Sequence, residues 1–112
     1  MTGIWYVPKF EKYFAHNRGV YGLLFPDRII YIGSTIAKFG DRRRAHLHDL
    51  EYGFHSNYEV QVRYNLYGKV EFVVIENLDS INRIYTHAKE HAAIKRFEAT
   101  GWTVLNLIRN PA

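Results

Sequence analysis

The chain has no cysteine, which excludes disulfides, iron–sulfur clusters and cysteine-ligated zinc. It has no apolar run near the roughly 20 residues that cross a bilayer, so no membrane partner is expected. Its first residues, Met-Thr-Gly-Ile-Trp-Tyr, lack the charged stretch and apolar stretch of an export signal, and the expectation is a soluble, cytoplasmic protein. Internal repeats, low-complexity tracts and Pro/Gly/Ser linkers are also missing, so nothing divides the chain into independent domains.

What is present is a core. The 112 residues, 47 % apolar and 16 % aromatic with nine tyrosines, suffice for one folded domain that buries about two-thirds of its unfolded surface. Residues 1–16 form an aromatic extension carrying Ile4, Trp5, Tyr6, Val7, Phe10, Tyr13 and Phe14. It is too apolar for a loose tail and is expected to pack on the body, residues 17–112, or at an interface with a second copy.

The net charge is +4, a small basic excess with an uneven placement. Residues 1–50 carry eight Lys/Arg against four Asp/Glu, and residues 51–112 carry seven of each. A phosphate-facing side has this distribution, although a mildly basic protein need bind nothing anionic.

Gly19 to Phe25 and Arg28 to Gly33 are β-branched and aromatic, and Pro26-Asp27 between them supplies a turn, so the two read as a β-hairpin. Asp41 can cap a following helix whose apolar positions are Ala45, Leu47, Leu50 and Phe54, with Gly53 as its stop. Residues 57–67 read as a weaker helix ended by Gly68, and Val70 to Ile75 as a strand. Residues 80–98 form the longest helix, closed by Thr100-Gly101, and 102–107 return as an extended tail. The order is ββααβα plus a tail, an α+β fold in which helices flank a small three-stranded antiparallel sheet.

Arg42 and His46 lie one turn apart on one helix face and can together grip a phosphate; equally, Arg42-Arg43-Arg44 can be a solvated basic stretch. His87-Ala88-Lys89-Glu90-His91 spells the H-x-x-E-H zinc motif of inverted metalloproteases. That site needs a third protein ligand, and Glu98 is the sole acidic residue after His91. Glu90, within an apolar and basic stretch, is the better candidate for a hard cation such as Mg²⁺. Asn106 can bond a ligand or satisfy neighbouring backbone. Tyr21 and Tyr31 alternate with aliphatic residues, as packing tyrosines do, while Gly22 and Gly33 in the same strands mark close approach of another group.

Taken in order, Gly19-Val20-Tyr21, Tyr31-Ile32-Gly33, Arg42, His46, Glu90 and Asn106 resemble the GIY-YIG endonuclease pattern over about residues 19–108. Leu47 to Ser56 is similar to the corresponding stretch of phage intron-encoded homing endonucleases. Val20 replaces the usual isoleucine, the spacing between the tyrosines is slightly short, and the linker and DNA-recognition domain of the homing enzymes are not evident. The resemblance implies a DNA endonuclease of low sequence specificity or selective for DNA structure, associated with a phage or mobile element, using Mg²⁺ or Mn²⁺ and no organic cofactor, with a homodimer as an option. It implies catalytic roles for Tyr21, Tyr31, Arg42, His46, Glu90 and Asn106, with Glu90 on the metal. Arg42 would bond the phosphoryl oxygens, Tyr21 would be the general base, His46 would accept or relay its proton, and Tyr31 would position water and phosphate. Gly33, Ser34, Arg43, Arg44 and His55 would contact substrate. Two other readings remain: a nuclease-like module that binds DNA without cutting, and an assembly subunit or inhibitor that uses its aromatic N-terminus as an interface.

Overall fold

The computed structural model describes residues 8–108. Strand β1 (Gly19–Phe25) and strand β2 (Ile29–Thr35) form the hairpin, in antiparallel register with Tyr21 opposite Gly33 and Leu23 opposite Tyr31. Helix α1 (Phe39–Tyr52) and helix α2 (Tyr58–Tyr67) follow, then strand β3 (Glu71–Asn77), helix α3 (Arg83–Ala99), a two-residue strand β4 (Thr103–Val104) and a 3₁₀ turn at Leu105–Leu107.

The sheet has four strands in the order β3-β1-β2-β4, which corrects the three-stranded antiparallel expectation. The first three are antiparallel, but β4 runs parallel to β2 through Ile29 with Thr103 and Ile30 with Val104. The expected extended tail is therefore a two-residue strand that turns at once into a 3₁₀ helix. A segment that short shows no period, and its pairing depends on where α3 delivers the chain.

Strand β1 is central and almost wholly buried, because helices cover both faces of the sheet and strands pair with both its edges. On one face Val20, Ile30 and Ile32 pack with Ala93, Ile94 and Phe97 of α3. On the other, Leu23, Phe25 and Ile29 meet Leu50 of α1, Val60 of α2 and Leu105. Tyr21, Phe39 and Val74 extend that second face. A bulge offsets β1 from β3: Val20 faces Glu76 while Tyr21 faces Val74. Such an inserted residue re-aims nearby side chains, and here it lies beside Tyr21.

Asn57 caps α2 by accepting the Val60 N–H, and Asn82 caps α3 by accepting that of Tyr85. Gly53 and Gly68 close α1 and α2 in the left-handed region, as glycine does without a Cβ penalty. Asp41 is not the cap of α1. It lies in the first turn and pairs with Arg44, because the chain before β1 already serves the helix start. The Phe39 N–H donates to the Asn17 carbonyl at 2.7 Å, and the Gly40 N–H to the Ala15 carbonyl at 2.8 Å. The buried face of α1 is Phe39, Gly40, His46 and Leu50, whereas Ala45 and Phe54 are exposed.

Of the N-terminal extension, Phe10 packs against the α3 side of the core, Glu11 donates its N–H to the Val74 carbonyl, and the Tyr13 ring meets Phe72 edge-on at 5.7 Å. Ile4, Trp5, Tyr6 and Val7 lie outside the described residues. Among the described residues, no helix is long and apolar enough to cross a membrane.

Candidate active site

Tyr21 projects from the middle of the sheet toward α1. Its ring stacks on Phe72 with centroids 4.9 Å apart and meets Phe39 edge-on. Gly33 faces Tyr21 in the hairpin, and a Cβ there would lie 2.5 Å from the phenol oxygen. The glycine of Tyr-Ile-Gly thus leaves room for the tyrosine of Gly-Val-Tyr. At the start of the same strand Gly19 has φ 137° and lies against the Glu76 carbonyl, where a side chain would collide with backbone.

His46 is the polar member of the buried face of α1. Its Nε2 lies 2.6 Å from Tyr21 Oη and 3.3 Å from Arg42 Nη2, so the i, i+4 spacing brings Arg42 and His46 to the same face of the helix. Its Nδ1 lies 2.7 Å from His55 Nε2, with the two rings stacked. His55 Nδ1 accepts the Asn57 N–H at 3.0 Å. Both ring nitrogens of His55, read in the sequence as a substrate contact, are therefore engaged inside the protein. Tyr31 is half-buried with its ring 6.1 Å from each histidine.

Glu90 comes from α3, which covers the opposite face of the sheet, and reaches the β2 side of the site. The Ser34 hydroxyl donates to its Oε1 at 2.6 Å. Its charge is felt at both tyrosines, as is that of Arg42. Asn106 lies along the same edge of β2 beyond the short β4 pairing. Its Oδ1 accepts the Ile32 N–H at 2.8 Å and its Nδ2 donates to the Ile32 carbonyl at 2.6 Å. The side-chain amide takes the place of a neighbouring strand, so its first task is to satisfy backbone.

Arg43 and Arg44 point to solvent, and Arg44 pairs with Asp41; of the three successive arginines only Arg42 enters the site. His87 and His91 are exposed while Glu90 turns to Ser34, and no group of three or more His, Cys, Asp or Glu among the described residues is placed to hold a metal. The H-x-x-E-H spelling is a consequence of helix composition.

Burial dominates the electrostatics. It pushes the Tyr21 phenol up to about 12, with Arg42 offsetting part of the rise, and raises Tyr31, which Glu90 also raises. A tyrosine acting as general base must ionise, and in the free protein desolvation of Tyr21 outweighs the help of Arg42. Burial, then Arg42, takes His46 down to about 4, and burial lowers His55. Both imidazoles are neutral at pH 7.

Gln61 and Asn57 had no recognised part in the sequence. Gln61 Oε1 accepts the His55 N–H and its Nε2 donates to the Leu50 carbonyl and Asn65 Oδ1. A glutamine inside a weakly amphipathic helix carries no signal of this, whereas Asn57 directly before an apolar helix was legible as a cap.

The solved catalytic domain of homing endonuclease I-TevI superposes on this chain with a TM-score of 0.68 at 24 % identity, over 78 % of this chain and 97 % of that one. The chain has the GIY-YIG fold. A glutamate-to-alanine mutant of the catalytic domain of intron endonuclease I-TevI gives a TM-score of 0.67 at 24 % identity, over 78 % and 92 % of the two chains. No protein-family model and no curated protein matches the sequence. In the GIY-YIG fold Tyr21, Tyr31 and Arg42 surround His46, while Glu90 of α3 bonds Ser34 at the end of β2.

Proposed function

We propose that this protein is a divalent-metal-dependent endodeoxyribonuclease that hydrolyses phosphodiester bonds. Fold alone does not carry that reading. The observation that supports it is a buried phenol, Tyr21, that shares His46 with the Arg42 guanidinium and feels the charge of the Glu90 carboxylate, on the fold of a homing-endonuclease catalytic domain.

Arg42 donates to the phosphoryl oxygens; removing such a preorganised donor costs about 3 kcal/mol, or 10²–10³ in rate. Tyr21, as the phenolate left once its own proton has passed to solvent, takes a proton from the water that attacks phosphorus, as the new P–O bond forms and the bond to the 3′ oxygen breaks. Tyr31 orients that water and the phosphate. Glu90 suits Mg²⁺ or Mn²⁺, because Ser34 occupies only Oε1 and Mg²⁺ is held by one or two carboxylates plus water and substrate phosphate. When bound, the ion neutralises charge on the phosphate and the departing oxygen. Arg43 and Arg44, exposed beside Arg42, supply phosphate contacts on DNA. A phage or mobile-element setting, low sequence specificity or selectivity for DNA structure, and the option of a homodimer belong to the same proposal.

One feature favours the rival, a nuclease-like module that binds DNA without cutting: burial raises the Tyr21 phenol to about 12, which opposes its ionisation at pH 7. Plasmid nicking with Mg²⁺ or Mn²⁺ separates the two. Metal-dependent relaxation of supercoiled DNA supports the enzyme, and DNA binding without relaxation supports the module.

A further inference from the structure

The hydrogen bonds behind Tyr21 have a direction that one backbone group dictates. A backbone N–H can only donate. The Asn57 N–H lies 3.0 Å from His55 Nδ1, so that nitrogen is bare. A neutral imidazole carries one ring proton, and that of His55 is therefore on Nε2, 2.7 Å from His46 Nδ1. His46 Nδ1 must accept it. The ring proton of His46 is then on Nε2, 2.6 Å from Tyr21 Oη.

The opposite arrangement fails on the same geometry. With a proton on His46 Nδ1 and a neutral His55, either two N–H groups would face each other at 2.7 Å or His55 would have no ring proton at all. A charged His55 is opposed chiefly by burial and also by Arg42, which together outweigh the Asn57 backbone and Asp49 that favour it. The anchor is also held in place: Asn57 caps α2 through its side chain, while Gln61 ties the His55 N–H to the Leu50 carbonyl at the end of α1.

We propose that the Asn57 backbone fixes, through His55, the tautomer of His46, making His46 a hydrogen-bond donor to Tyr21 and His55 a positioning residue of the site. Since His46 Nε2 carries a proton, it cannot accept from Arg42 at 3.3 Å, and Arg42 donates to the Tyr21 oxygen instead. Tyr21 then receives two donors. Its own proton is then not shared with either of them. Already protonated at Nε2, His46 cannot take the proton of Tyr21 there; it donates to the Tyr21 oxygen. The catalytic meaning of this chain rests on the proposed nuclease reading; the tautomers do not.

Nitrogen NMR of the isotopically labelled imidazoles, in the full chain at neutral pH, tests it. The expected wild-type spectrum has His46 and His55 each protonated at Nε2 and bare at Nδ1. A His46 protonated at Nδ1 would overturn the proposal, and the wild-type spectrum decides this whether or not any variant folds. His55→Phe should release His46 into a mixture of tautomers, and His55→Gln, whose amide can still donate to His46 Nδ1, should restore the Nε2 form. An unchanged His46 tautomer in His55→Phe also contradicts the proposal. If the protein nicks DNA, His55→Phe should lower the rate at least about tenfold, as expected when a donor to the reacting oxygen is no longer held in place, and His55→Gln should recover part of that loss. Correct tautomers in a protein that cuts nothing would leave the chain standing and remove the nuclease reading.

Discussion

Tyr21 and Gly33 share one space: the phenol lies where a side chain at residue 33 would have to be, 2.5 Å from the position of its Cβ. The two halves of the sequence signature are thus one packing unit, joined across the hairpin by the register that sets them opposite. Gly33→Ala should displace the Tyr21 ring from Phe72 and His46 and cost about 1–3 kcal/mol, as overpacking does. In a Tyr21→Leu background, where no atom reaches as far as the phenol, the same change should cost far less. Urea denaturation of the four proteins measures the coupling, and additive costs would contradict it.

Asn106 is a second such unit. Its amide satisfies both the N–H and the carbonyl of Ile32, a residue with no solvent exposure. Asn106→Ala should cost about 1–3 kcal/mol, the range for leaving buried polar groups unpaired, and should accelerate hydrogen exchange at the Ile32 amide. Unchanged exchange there would show that the edge of β2 is held by something else.

The lowered histidines set a pH dependence. His46 falls from 6.5 to about 4 in the folded chain, so between those values the unfolded chain binds more protons than the folded one. Its contribution is fully present above pH about 6.5 and lost as pH falls toward 4, at most about 3 kcal/mol. His55 acts in the same direction. Stability measured by denaturant at several pH values should fall through this window, and His46→Gln should flatten the fall.

Removal of residues 1–16 should disable the site without deleting any residue in it. The Ala15 carbonyl, which accepts the Gly40 N–H, would be lost together with Phe10 and Tyr13, and α1 carries Arg42 and His46 on the turns that follow. A lower melting temperature and slower cleavage are expected. A truncated protein with unchanged melting and cleavage but an altered elution volume would assign the segment to an interface instead.

These features explain what the sequence could and could not disclose. The hairpin was legible because β-branched and aromatic residues flank Pro26-Asp27, and α2 and α3 because Gly68 and Thr100-Gly101 mark their ends, although α3 starts only after its cap Asn82 and not at residue 80. The start of α1 was not, since its N–H groups are served by carbonyls of a distant segment while Asp41 offered a false local cap. Its buried face was misread because His46 takes a place where an apolar residue was expected and Phe54 lies beyond the helix. Strand β4 is two residues long and paired only through tertiary structure. Glu90 stood out as a lone carboxylate, but its Ser34 partner depends on how α3 crosses the sheet, and the His46–His55 contact arises from the turn between α1 and α2. The identities of the site residues were in the sequence; the directions of their hydrogen bonds were in the fold.

Glu90 bears the central claim. Supercoiled plasmid should be incubated with the wild-type protein and with Glu90→Ala, each with Mg²⁺, with Mn²⁺ and with a chelator, and DNA binding should be measured alongside. The account predicts nicking by the wild type only with a divalent ion, and none by Glu90→Ala at undiminished DNA affinity. Full cleavage by Glu90→Ala, or by the wild type in chelator, would contradict it.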